Sequence, residues 1–152
     1  MRIATRLLTA LLFTTSLVSL PALALTSNEQ AVLVPIQAMF DGMTKRDAAA
    51  IQSPLLPGGS LVLMHDGKPT QMTFAAFADR VGKPSPKHIE ERIYDPIIHI
   101  DGDLAVVWAP FDFLADGKVD HCGTDLFNLV RVEGKWLIAS ISDTGHSACP
   151  AH

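Results

Sequence analysis

The spacing of apolar residues changes along the chain, and the change of period marks out the elements. Val32, Ile36, Met39, Phe40 and Met43 recur three or four residues apart, which predicts an amphipathic helix. Ser27 and Gln30 form a capping-box pair at its start. Pro35 interrupts the pattern and either kinks the helix or marks its true first turn. KRDAAAIQS reads as a short second helix and PLLPGG as a loop. SLVLMHDGKPTQMT reads as two short strands about Asp66-Gly67, a pair suited to a two-residue hairpin turn. In TFAAFADRVG, Thr73 is a candidate N-cap and Gly82 a C-terminal stop for a third helix. From residue 87 the period falls to two. Strands are predicted over 87–100, 103–115, 118–132 and 135–144, with turns at Asp101-Gly102, Asp116-Gly117 and Glu133-Gly134.

Helices first and a long meander afterwards make an α+β pattern, with a curved antiparallel sheet against the N-terminal helix. Two-residue turns set the register. Asp112 then faces His121, Trp108 faces both Asp95 and Asp125, Asp125 faces Ser142, Phe127 faces Ser140, and His121 faces His146. Alternation places Trp108, Asp112, His121, Asp125, Phe127 and Trp136 on one face, with Ser140. Both faces are largely apolar, so both should be covered. The Trp108/Trp136 face is expected under the helices, lining a pocket. The other is expected against a second subunit. A bulge near Gly123 would reverse part of this assignment.

The candidate chemistry centres on HCGTD at 121–125. Asp112 beside His121 would hold the imidazole in one tautomer and raise its basicity, the arrangement of a general base with an orienting carboxylate. Asp125 against Trp108 would be desolvated, which raises a carboxyl pKa and suits a proton carrier. A structural hydrogen bond near a sheet edge is the plainer account of the same pair. Asp112, His121 and His146 also fall in one row and would suit zinc or iron, although the spacing matches no tight motif. No Gly-rich phosphate loop, nucleophile elbow or CxxC is present, and no metal or cofactor is expected.

The chain ends add context. Arg2 and Arg6, the apolar run from Leu7 to Leu20 and Ala22-Leu23-Ala24 form a secretory signal with a cleavage site. Cleavage would leave one domain from about Leu25, with a short tail from about 145, and would move the net charge from −4 to −6. No basic run remains, which argues against nucleic acid. A periplasmic or secreted location follows, with no membrane association after cleavage, and there Cys122 and Cys149 would pair as a disulfide.

AMFDGMTKRDAAAI, GDLAVVWAPFDFLADGKVDHCGTDLFNLVRVEGKW and LIASISDT together resemble the nuclear transport factor 2-like superfamily, most nearly its bacterial lumazine-binding and SnoaL-like members. The resemblance implies a cone-shaped α+β fold with an internal cavity and, in many relatives, dimerisation through the outer sheet face. It does not fix an activity, since the superfamily includes an isomerase, dehydratases, cyclases and plain binding domains. The leading expectation is a cavity that binds a small, partly apolar molecule, lined by Phe40, Met43, Trp108, His121, Asp125, Phe127 and Ser140. Two alternatives stand beside it. One is an acid–base lyase or isomerase using His121, Asp112 and Asp125. The other is a non-catalytic dimerisation or interaction domain.

Overall fold

A computed structural model of the chain describes residues 24–149; the expected signal segment lies outside them, apart from Ala24. Helix α1 spans Ser27–Lys45. Its cap sits one residue earlier than the sequence pattern suggested. Thr26 Oγ1 accepts from the Glu29 backbone N–H, and the Glu29 carboxylate accepts in return from the Thr26 N–H at 2.7 Å. The helix runs through Pro35 and buries Val32, Ile36, Met39, Phe40 and Met43, the stripe that the spacing predicts. It ends at Arg46, whose left-handed backbone (φ 56°) turns the chain into α2, Ala48–Gln52, capped by Asp47.

Strand β1, Leu55–His65, begins earlier than expected and takes in the segment predicted as a loop. It pairs with β2, Lys68–Thr73, about Asp66-Gly67. Both turn residues have positive φ, as do Asp116-Gly117 and Glu133-Gly134, so all three are turns of the predicted two-residue kind. Helix α3, Phe74–Val81, starts at the Thr73 cap. Gly82 closes it with an ordinary right-handed backbone. Glycine is needed there for space, because a Cβ would lie 2.7 Å from that of Ala48.

The predicted strand 87–100 is two strands, β3 Ile89–Ile93 and β4 Ile97–Asp101, broken where Asp95 takes φ 39°. Both pair with the same edge of β5, Leu104–Ala115. The turn before β5 is Gly102-Asp103, one residue later than expected, so Trp108 faces Ile97 and not Asp95. Strands β6, Lys118–Val132, and β7, Lys135–His146, complete a seven-stranded curved sheet in the order β2-β1-β7-β6-β5-β3, with β4 beside β5. The fold is α+β as expected, but the sheet is mixed, because β1 lies parallel to β7.

Two bulges decide which side chains face the helices. On β6 the register slips between Leu114↔Val119 and Phe113↔His121, leaving Asp120 unpaired. On β7 it slips between Leu129↔Ile138 and Asn128↔Ser140, leaving Ala139 unpaired. A slip of one residue moves side chains to the opposite face. Asp112 therefore faces Cys122, Trp108 faces Leu126, and Asp125 faces Ala109 and Asp143. Phe127 faces Ile141, and His146 faces Cys122. The irregularity expected near Gly123 lies three residues earlier.

The core fills the space between this inner face and α1. Phe127, fully buried, meets the Phe40 ring edge to face at 6.2 Å. Val107, Leu129 and Ile138 are equally dry. Each such side chain contributes about 1.5–3 kcal/mol by leaving water. Trp136 is on this inner side, whereas Trp108 is half exposed on the outer face. Cys122 and Cys149 form a disulfide that holds the end of the described chain against β6, with their Cα atoms 5.7 Å apart.

Candidate functional site

A cavity of about 370 Å³ opens between the inner sheet face, the end of α1 and α3. Its walls are apolar: Met39, Met43, Leu61, Leu63, Phe113 and Phe127 among them. Set into those walls are three carboxyls from three strands, Glu91 on β3, Asp125 on β6 and Asp143 on β7. His65 and His121 border it, and Arg46, Arg80 and Lys87 stand around it from the helix ends and the loop before β3.

The carboxyls are placed by register. Asp125 pairs with Asp143 across β6 and β7, and Asp143 with Leu63 across β7 and β1, so these side chains share the inner face. Glu91 shares it through Phe113 and His121. Sheet curvature brings Glu91 to Asp125, and the two carboxyls share a hydrogen bond. Burial pushes Glu91 up to about 8, aided by the negative charge of Asp143 and opposed by the hydrogen bond with Asp125. Burial also drives Asp125 well above the carboxylate range, reinforced by Glu91 and Asp143. Asp143 is raised more gently: burial dominates, but the Met64 N–H donates to its Oδ1 at 3.1 Å and both histidines oppose the rise. Like charges packed this closely do not all ionise together, so the pair retains a proton near neutrality. Asp125 is 2 % exposed, and among the described residues its Oδ2 has no N–H or hydroxyl donor.

The histidines form an aromatic cluster at one side. The His121 ring stacks on Phe113 at 4.8 Å and meets His65 edge-on at 5.7 Å. Gly145 makes room for this, since a Cβ there would strike the His65 ring. His121 does have a carboxylate neighbour, but it is the bulged Asp120, 3.1 Å from Nδ1. That contact, together with Lys87, holds Asp120 below its ordinary range. Asp112 lies on the opposite face and accepts from the Tyr94 hydroxyl at 3.1 Å.

The structure therefore separates the residues that the pattern grouped. Met43, His121, Asp125 and Phe127 border the cavity. Phe40 lies in the core and borders a second groove between α1 and β3. Trp108, Asp112 and Ser140 are on the outer face, where Ser140 accepts from the Asn128 side-chain amide at 2.8 Å. The row Asp112–His121–His146 does not form, and among the described residues no group of three or more His, Cys, Asp or Glu is arranged to hold a metal. Glu91, Asp143 and His65 were missed. Glu91 carried a signal: it alternates with Ile89 and Ile93, so it occupies an inward position in a short strand.

Residues 27–142 match the model of the family described as "Putative lumazine-binding". No curated protein matches the chain. Solved structures share the fold. An NTF2-like protein of unknown function from Shewanella baltica superposes with a TM-score of 0.62 at 24% identity, over 82% of this chain and all of that one. An NTF2-like protein from Cytophaga hutchinsonii gives 0.65 at 16% identity, over 80% and 100%. A protein from Streptomyces avermitilis, described as a "putative dehydratase" of the NTF2-like family, gives 0.64 at 17%, over 80% and 98%.

Proposed function

The chain belongs to this "Putative lumazine-binding" family, and from that premise we propose that it binds one small, partly apolar molecule in the cavity beneath the curved sheet. The supporting observation is the hollow itself: about 370 Å³ of apolar wall with a few convergent polar groups. That is the small end of the range for ligand sites, roughly 300–1,000 Å³. A thermal-shift screen tests the reading, because a ligand of the native state raises the melting point. Hits should stabilise the wild type and lose their effect in Leu63→Trp, which fills the hollow. Hits that survive the filling would place binding elsewhere.

A second reading draws on the proton held between Glu91 and Asp125. A buried carboxyl pair of this kind can take and return a proton, as a lyase or isomerase requires. In that reading the acid–base role passes from Asp112 to Glu91 and Asp125, with His121 at the side. Its test is turnover: Asp125→Asn should abolish it while far-UV circular dichroism stays unchanged.

We also propose a homodimer through the outer face, where Ile97, Leu104 and Trp108 are each more than half exposed. Trp108→Ser should then shift the sedimentation mass towards the monomer. Export is compatible with the disulfide, and an N-terminus near Leu25 on exported material would support it. No helix among the described residues is long and apolar enough to cross a membrane.

A further inference from the structure

We infer that the cavity takes an amphoteric molecule, with an N–H or O–H group donating to Asp125 and an anionic group lying against Arg46 and Arg80. The inference rests on the binding reading above and adds the ligand's chemistry to it.

The Asp125 end is the more sharply defined. Asp125 is almost wholly buried and borders the hollow, yet among the described residues its Oδ2 has no N–H or hydroxyl donor. A buried acceptor without a donor is costly and uncommon in native proteins. The N–H groups that border the cavity, on His65, His121, Arg46, Arg80 and Lys87, make no hydrogen bond to this oxygen. A ligand N–H or O–H would satisfy it.

The opposite requirement comes from the helix side. Arg46 sits at the end of α1, and its guanidinium donates to the carbonyls of Val81 at 3.0 Å and Lys87 at 3.1 Å. Those partners fix its position without neutralising its charge, and its buried Nε has no partner among the described residues. Arg80, from the last turn of α3, stands beside the same cavity. Among the described residues neither arginine is in an ion pair, and none joins this pair to the cavity carboxyls. Lys87 is partly neutralised by Asp120 at 3.4 Å and adds less. A carboxylate or phosphate on the ligand is the group that fixed guanidinium charge favours.

The test uses titration calorimetry on the full mature chain with six probes. These are 4-aminobenzoate, benzoate and aniline, and the longer set 3-(4-aminophenyl)propionate, 3-phenylpropionate and 4-ethylaniline. Within at least one set the amino acid should bind about tenfold more tightly than either single-function relative. Asp125→Leu should remove the advantage over the acid lacking the amine. Arg80→Gln, at an exposed position, should reduce the advantage over the amine lacking the acid, and it guards against loss of folding at Asp125. Equal affinities within both sets, or an amine advantage that survives Asp125→Leu, would overturn the inference and leave the cavity reading standing. Absence of binding by all six would overturn the inference, while the thermal-shift screen with Leu63→Trp decides the cavity reading separately.

Discussion

Replacing Glu91 with glutamine should flatten the pH dependence of stability. In the folded chain Glu91 titrates near 8, against an ordinary 4.5 when exposed. Between those values the folded state keeps a proton that the unfolded state has already released. Stability therefore falls as pH rises from 4.5 towards 8 and levels off above it. A shift from 4.5 to about 8, at about 1.4 kcal/mol per unit, sets a ceiling of about 5 kcal/mol. Glu91 faces the cavity and stays partly open to water, so about 2–4 kcal/mol is the expected loss. Asp125 and Asp143 are shifted in the same direction and steepen the wild-type fall. Urea unfolding at pH 5, 6.5 and 8.5 measures it. Wild type should be least stable at pH 8.5, and Glu91→Gln should lose Glu91's share of the fall, while Asp125 and Asp143 keep the remainder. A variant with the wild-type slope, or a wild type that gains stability across this window, would refute the buried-acid account of the site.

Other consequences follow from packing and covalent structure. Phe127→Ala removes a fully buried ring that contacts Phe40, and should cost about 3–5 kcal/mol in denaturant unfolding. A cost below about 1 kcal/mol would mean that the ring is not in the core. Thr26→Ala breaks the capping box of α1, and should lower stability by about 1 kcal/mol. Reduction of the Cys122–Cys149 bond, which spans 27 residues, should cost about 2–4 kcal/mol. Iodoacetamide should label two thiols only after reductant is added, and labelling without reductant would contradict the disulfide.

The elements were legible in the sequence because they depend on local chemistry. Helical spacing marked the buried stripe of α1, Thr73 marked the start of α3, and the x-Gly pairs supplied the positive φ that tight hairpin turns need. The apolar character of both sheet faces was equally plain. The site was decided elsewhere. Asp120 and Ala139 bulge out of their ladders, and neither residue type announces a bulge. Each slip reverses alternation, so Trp108, Asp112 and Ser140 turned outward while Asp143 turned inward. The parallel pairing of β1 with β7 joins residues at least 80 positions apart, and no local pattern encodes such a partner. That pairing brings His65 and Leu63 to the cavity, and curvature brings Glu91 to Asp125. Local preference determines where a strand begins and turns, whereas the packing of the whole sheet against the helices determines which carboxyls meet.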